Sequence, residues 1–175
     1  SIGDCYNREH SFPKSWFDDQ SPMVTDAYHI YPTDGKVNGQ RSNYPFGECA
    51  NGSYVASSGS VKALGRLGTS TFSGYSGKVF EPDDQYKGDF ARSYFYMAAA
   101  YNSFIDDWNS AQLAGNSYPC FSDWSVNLLM KWHREDPVSE KEINRNEVVY
   151  SWQGNRNPFI DHPELAEYVW GTKKN

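Results

Sequence analysis

The sequence has no long apolar run, few cysteines and no excess of positive charge, and each shortage excludes a class of protein. Because no stretch of about 18 apolar residues occurs, we expect no membrane span. The three cysteines, Cys5, Cys49 and Cys120, lack the short C-x-x-C spacing of zinc and redox sites. Their spacing leaves open one disulfide with one free thiol, or three buried thiols. Ser1 opens directly into polar sequence without a visible signal peptide, and we expect any such signal to lie outside this chain.

The formal net charge of −6 argues against a protein that binds nucleic acid through a broad basic face. Phosphate neutralisation by Lys and Arg supplies most of the non-specific affinity of such proteins. Binding to nucleic acid would therefore require a local basic groove and a bound cation.

The composition and organisation indicate one globular domain over residues 1–175. Aromatic residues make up 17% of the chain and charged residues 22%, and no repeat, low-complexity tract or Pro-rich linker divides it. We expect strands and a site motif in residues 1–50, a loop-rich segment with short strands in 51–80, and a helical part in 81–175.

Apolar periodicity and capping signals predict four helices in the second half. A long amphipathic helix is expected from an aromatic stripe at steps of four and three, with the stripe facing the core: Phe90, Tyr94, Met97, Tyr101, Phe104 and Trp108. A second helix covers "DWSVNLLMKWH". The third begins at the S-x-x-E capping box of Ser139 and Glu142 and ends at Gly154. The last begins after Asp161 as N-cap and ends at Gly171.

Polar residues of the first fifty positions suggest a compact site. Glu9 and His10 lie on a predicted strand, "HIYPT" forms a second strand ended by Pro32, and Asp34 is the N-cap of a helix that carries Asn38. Such a strand, strand and helix would bring these side chains together. Because consecutive strand residues point to opposite faces, we predict a strand end or a bulge at Glu9 and His10.

These residue types suit metal-assisted hydrolysis of a phosphodiester. A carboxylate oxygen from Glu9 and an amide oxygen from Asn38 are hard ligands for Mg²⁺, Mn²⁺ or Ca²⁺, with Asn43 as the alternative amide. An imidazole, with an unperturbed pKa of about 6.5, can take a proton from water near neutral pH. His10 is therefore the candidate general base. His29, in an apolar strand context, is expected to be structural.

Four segments resemble the bacterial endonuclease I family, whose members carry a His-Me finger, also called the ββα-metal motif. They are "NREHSFPKSWF", "HIYPTDGKVNGQRSNYPFGE", "YKGDFARSYFYMA" and "QGNRNPFIDHPEL", in the family's order. The resemblance implies an α+β fold, with the ββα-metal motif packed against a mainly helical C-terminal half. It also implies that His10 is the general base and that Glu9 and Asn38 hold the metal.

The expected activity is Mg²⁺-dependent endonuclease cleavage of DNA, and often of RNA, with little sequence preference and with 5′-phosphate ends. Family members are typically secreted or periplasmic. The expected partner is thus a nucleic acid substrate, with no membrane and no obligatory protein partner.

Two departures from the family pattern concern residues near the site. Relatives often read "DLHH" or "DLHN" where this chain has "DAYH", so Tyr28 stands in place of a His. Some secreted relatives carry a cysteine-rich insertion with an Arg that contacts the cleaved phosphate, and the connection over residues 17–26 is too short to contain it.

Three arginines are candidates for that phosphate contact: Arg41, Arg92 and Arg156. The alternative for Arg92 is a structural salt bridge, and for Arg156 an ordered turn.

Two other function classes remain possible from residue types alone. A secreted glycoside hydrolase would use Glu9 with an Asp, and Trp and Tyr as sugar platforms, but it leaves the paired His and Asn unexplained. A non-catalytic binding module would expose an aromatic face.

Overall fold

The first part of the molecule is a two-stranded sheet followed by a helix. A computed structural model describes residues 6–55 and 65–173. β1 (Tyr6–His10) pairs with β2 (Ile30–Asp34) in antiparallel fashion, and α1 (Gly35–Arg41) follows directly. The order of these elements is the predicted one. Pro32 does not end β2, contrary to the prediction, because a two-stranded sheet leaves one strand edge free to hold a residue without an N–H group.

The start of α1 follows from the predicted N-cap. The Asp34 carboxylate accepts hydrogen bonds from the backbone N–H groups of Lys36 at 2.8 Å and Val37 at 3.0 Å. Asn38 consequently lies in the first turns of α1, where its amide reaches back to the Arg8 carbonyl of β1 at 3.1 Å.

A second small antiparallel sheet fills the loop-rich middle. It contains β3 (Ser53–Tyr54), β4 (Arg66–Thr69) and β5 (Lys78–Glu81), in that order. These short strands agree with the prediction for the Gly- and Ser-rich segment, except at positions 56–64, which lie outside the described residues.

The second half of the chain is helical. It contains α2 (Lys87–Ala100), α3 (Asp123–Glu135), α4 (Glu140–Gln153), α5 (Pro158–Asp161) and α6 (Leu165–Val169). The predictions for α3 and α4 are confirmed. α4 begins at the capping box of Ser139 and Glu142 and ends at Gly154, whose φ of 82° is the left-handed conformation that glycine adopts at helix ends.

Two helix predictions were wrong in their bounds. α2 ends at Ala100, and Tyr101 closes it, so Phe104 and Trp108 lie beyond the helix. The helix is buried around most of its circumference because it runs through the core, so an aromatic stripe could not locate its end. Asp161 is the last residue of α5 rather than an N-cap, since the Asn157 side chain caps that short helix.

An aromatic cluster anchors the chain immediately after β1. The Phe12 ring is buried, with its centroid 5.0 Å from that of Tyr94 on α2, 5.4 Å from Trp108 and 5.1 Å from Trp16. Burial of one such ring stabilises the fold by about 1.5–3 kcal/mol. The end of β1, where Glu9 and His10 lie, is thereby tied to the central helix.

None of the helices within the described ranges combines the length and the apolar character needed to cross a bilayer.

Candidate active site

One open groove brings together the three residues singled out in the sequence. Glu9, His10 and Asn38 all line a groove of about 340 Å³ formed by the end of β1, the turn after it and α1. Lys14 and Arg41 line it as well. The pairing of β1 with β2 and the capped start of α1 create this convergence.

Glu9 and His10 both line the groove although they are consecutive residues at the end of β1. The pairing of β1 with β2 continues without a bulge through Glu9 opposite Tyr31 and His10 opposite Ile30, and β1 then stops at His10. The structure thus shows the predicted strand end and no bulge. Glu9 is 7% exposed, and His10 is partly buried.

Arg41 is the counterion of Glu9. Its Nη1 donates to Glu9 Oε1 at 2.6 Å and to the His10 carbonyl at 3.0 Å, and its Nη2 donates to the Ser11 carbonyl at 2.8 Å. Burial raises the pKa of Glu9, and the Arg41 guanidinium works against that rise. No donor from the described residues reaches Glu9 Oε2. One carboxylate oxygen is therefore held, and the other is left for a ligand.

The hydrogen bond of His10 identifies which ring nitrogen carries its proton. Nε2 lies 3.0 Å from the Val24 carbonyl oxygen. A carbonyl only accepts, so Nε2 is the donor, and the neutral ring has its lone pair at Nδ1. The His10 ring also meets the edge of His29, with ring centroids 5.3 Å apart.

His29 has the environment of a structural histidine, in agreement with its sequence context. It is buried, and Nε2 donates to the Met23 carbonyl at 2.8 Å. Burial lowers its pKa to about 4, so the ring is neutral near pH 7.

In the Asn38 amide, as in the Glu9 carboxylate, a protein contact holds one polar atom and leaves the other free. Nδ2 donates to the Arg8 carbonyl at 3.1 Å, which leaves Oδ1 as the free acceptor. Asn43 also lines the groove, with Nδ2 3.5 Å from Ser15 Oγ.

These oxygens fit a hard divalent cation. No donor from the described residues reaches Glu9 Oε2 or Asn38 Oδ1 in the groove, and such oxygen ligands suit Mg²⁺, which keeps several waters. No cluster of three or more His, Cys, Asp or Glu side chains within residues 6–55 and 65–173 could hold a metal. A cation held by Glu9 and Asn38 alone would have two protein ligands and so keep positions for water and phosphate.

Sequence reasoning missed an ion pair in the groove. Lys14 Nζ lies 2.5 Å from Asp19 Oδ1, and each side chain is 53% exposed. Asp18 and Asp19 have φ values of 54° and 55°, a left-handed conformation that is uncommon for residues other than glycine. Lys14 belongs to the segment "NREHSFPKSWF", but no local pattern marks its partner.

The structure does not place Arg92 and Arg156 in the groove. Arg92 is 0% exposed and donates to both carboxylate oxygens of Glu142, at 2.5 and 2.8 Å. Arg156 pairs with Asp161 and Glu147, each at 2.7 Å. The Arg92 contact is the structural salt bridge considered as its alternative, and Arg156 makes ion pairs outside the groove. Of the three arginines, Arg41 alone lines the groove.

Many aromatic residues are buried in the core, whereas others are exposed outside the groove, among them Trp152, Tyr6 and Phe104 of the predicted stripe. Tyr94 and Met97 of the predicted stripe are buried, and no Trp or Tyr among the described residues lines the groove. Cys49 and Cys120 are buried free thiols, and Cys5 lies outside the described residues.

Comparison with known proteins agrees with the resemblance seen in the motifs. The family model described as Endonuclease I matches residues 1–164. The chain is 40% identical to the extracellular ribonucleases of Bacillus amyloliquefaciens and Bacillus subtilis (strain 168), over 97% of this chain and 55% of each relative. It is 27% identical to a periplasmic deoxyribonuclease of Aeromonas hydrophila, over 79% of this chain and 48% of that protein. The chain thus spans about half the length of these relatives, and it belongs to the endonuclease I family.

Proposed function

We propose that this protein is a metal-dependent endonuclease that hydrolyses phosphodiester bonds in DNA and RNA. One observation carries the proposal: Glu9, His10 and Asn38 line one groove. In each of these side chains, one polar atom is held by the protein and another is left for a ligand. That arrangement suits a general base beside a two-ligand cation site.

His10 is the proposed proton acceptor, through Nδ1. The oxygen of a water molecule attacks phosphorus while the water proton moves to Nδ1. The bond between phosphorus and the 3′ oxygen breaks, and that oxygen takes a proton from solvent. The products carry a 5′-phosphate and a 3′-hydroxyl. The Nε2 bond to Val24 keeps Nδ1 unprotonated until this step.

Glu9 Oε2 and Asn38 Oδ1 would hold the cation, with Mg²⁺ as the proposed ion and Mn²⁺ or Ca²⁺ as ions that the same oxygens suit. A bound Mg²⁺ supplies Lewis-acid stabilisation of charge on the phosphate and the leaving oxygen. Arg41 contributes by opposing the rise that burial causes in the pKa of Glu9 and by fixing the carboxylate through Oε1.

Local charge would allow a protein of net charge −6 to hold a polyanion. Three cationic residues line the groove, Arg8, Lys14 and Arg41, against the two carboxylates of Glu9 and Asp19. Lys14 is the proposed contact to the nucleic acid backbone, because it is half-exposed in the same groove as His10, whereas Arg41 is committed to Glu9. A phosphate would compete with Asp19 for Lys14, so we expect modest and salt-sensitive binding.

We propose the substrate range and the cellular location from the names of the relatives. Relatives at 40% identity are named ribonucleases, and one at 27% is named a deoxyribonuclease, so we include both nucleic acids. Phosphate contacts carry little sequence information, which suits cleavage with little sequence preference. Because these relatives are named extracellular or periplasmic, we propose that this protein is secreted or periplasmic.

A cleavage assay tests the proposal. The protein is incubated with supercoiled plasmid and, separately, with a single-stranded RNA, with Mg²⁺ or with EDTA. We expect cleavage with Mg²⁺ only, and a loss of about 10²–10⁴-fold in His10→Ala. His162→Ala is the matched control, since His162 is exposed, lies next to Glu164 and does not line the groove. Intact substrates in every lane, or full activity of His10→Ala, would overturn the proposal.

The metal ligands are tested without relying on cleavage. Calorimetric titration with Mn²⁺ should show one site in wild type and much weaker binding in Glu9→Gln and in Asn38→Leu. Unchanged Mn²⁺ binding in both variants would place the cation elsewhere.

A further inference from the structure

The carboxylate of Asp26 accepts four hydrogen bonds, and it lies two residues after Val24, whose carbonyl His10 contacts. Asp26 is 5% exposed, and its Oδ2 accepts from the hydroxyls of Tyr96 and Tyr101, both at 2.6 Å. Its Oδ1 accepts from the Tyr28 backbone N–H and from Gln153 Nε2, both at 2.9 Å. One carboxylate thus connects α2, the turn after it and the end of α4.

The donors around Asp26 are themselves linked in a ring, here called the Asp26 cluster. Asn155 Nδ2 donates to the Tyr96 hydroxyl at 2.6 Å, and Gln153 Nε2 donates to Asn155 Oδ1 at 2.9 Å. Gln153 Oε1 also accepts from the Ala27 backbone N–H at 2.9 Å. Gln153 and Asn155 belong to "QGNRNPF", the segment that the catalytic groove leaves without a role.

The Asp26 cluster holds the short turn that faces the histidines. Met23–Thr25 forms one turn of 3₁₀ helix, closed by a bond of 3.1 Å from the Asp26 backbone N–H to the Met23 carbonyl. Two consecutive carbonyls of this turn accept from imidazoles: Met23 from His29, and Val24 from His10. The Val24 carbonyl, which accepts the hydrogen bond from His10 Nε2, therefore lies two residues from Asp26, whose carboxylate is bonded to the helical half.

We infer that Asp26 is a positioning residue for His10, acting through the Val24 carbonyl, and this role rests on the nuclease function proposed above. Asp26, Tyr96, Tyr101 and Gln153 fix the Met23–Thr25 turn. The turn keeps the Val24 oxygen within reach of Nε2, and that bond keeps the lone pair of His10 at Nδ1.

Two physical reasons favour this role over a purely structural one. Burying a carboxylate costs free energy that its hydrogen bonds at best offset, so a buried ionic cluster is a poor source of stability. In contrast, a displacement of about 1 Å in a supporting group can cost about 10²-fold in rate. A carboxylate with four donors suits the second purpose, because it holds the turn in one position.

The test removes the two phenol hydroxyls and leaves the rings. In Tyr96→Phe/Tyr101→Phe, we expect kcat to fall about tenfold or more with little change in KM. The ¹⁵N NMR spectrum of the His10 ring, recorded without metal at a pH where the ring is neutral, should change from one Nε2–H tautomer to a mixture. Tyr118→Phe is the matched control, because it removes a phenol bond of 3.0 Å to the Val169 carbonyl, outside the Asp26 cluster. It should keep the kcat and the tautomer of wild type.

The outcomes are distinguishable. If the double variant keeps the wild-type tautomer and loses activity only in proportion to its unfolded fraction, the Asp26 cluster is structural and the inference is overturned. The single variant Tyr101→Phe, which loses one of the four bonds, decides the matter in the same way if the double variant does not fold. If wild type cleaves no nucleic acid, the proposed function fails, whereas the tautomer measurement still tests the link between Asp26 and His10.

Discussion

Arg41 lies beside Glu9 with 2% of its surface exposed and donates from Nη1 to Glu9 Oε1 at 2.6 Å. Charge alone would assign Arg41 to the substrate phosphate, but its guanidinium is instead bonded to Glu9, the proposed metal ligand. The same guanidinium donates to the carbonyls of His10 and Ser11, so it fixes the backbone at the proposed base and at the residue after it.

Removing this guanidinium should destabilise the fold. Arg41→Met leaves a buried carboxylate without its counterion, and we expect the free energy of unfolding at pH 7 to fall by about 3–5 kcal/mol, measured by urea denaturation. Glu9→Gln/Arg41→Met should recover much of that loss, since it removes both charges. A single variant within about 0.5 kcal/mol of wild type would contradict this account of the pair.

Lys14 and Asp19 should affect substrate binding in opposite directions. Lys14→Met should raise KM for plasmid DNA and reduce the salt dependence of binding by about one phosphate contact, because one cation is lost from the groove. Asp19→Asn should lower KM, because the competing carboxylate is gone. Lys173→Met, at an exposed lysine near the C-terminus, is the matched control. Equal KM values for all variants would exclude Lys14 from the interface.

His29 should make the fold sensitive to mild acid. Its pKa is lowered from 6.5 to about 4 in the folded protein, so below pH 6.5 the unfolded chain takes up a proton that the folded protein does not. This group therefore reduces stability as pH falls from 6.5 towards 4, by up to ~3 kcal/mol. His29→Gln should show a smaller loss of unfolding free energy than wild type between pH 7 and pH 4.5. Parallel pH profiles would contradict the buried neutral ring.

We expect Arg92 to contribute to the stability of the fold and not to substrate binding. Arg92→Met leaves Glu142 uncompensated in the core and disturbs the cap of α4, so the free energy of unfolding should fall by about 3–5 kcal/mol. KM of the folded fraction should stay at the wild-type value. A variant of normal stability with a raised KM would instead support the phosphate-binding role.

Helix boundaries could be predicted from the sequence where they depend on interactions between neighbouring residues. The Asp34 cap, the capping box at Ser139 and the glycine at position 154 act within one turn of helix, and all three occur as predicted. The bounds of α2 and the role of Asp161 were misread. The end of α2 depends on how the following chain packs, and α5 on the competing cap at Asn157.

The sequence by itself determined the family resemblance, the mixed architecture and the choice of Glu9, His10 and Asn38 as site residues, because residue types and short spacings carry that information. Only the tertiary structure decided how each side chain is oriented. Glu9 meets Arg41 across 32 positions, His10 meets Val24 across 14, and Asp26 meets Tyr96 and Tyr101 across 70 and 75. Hydrogen bonds between such distant residues leave no periodicity or motif in the chain, since they form only after packing brings the elements together.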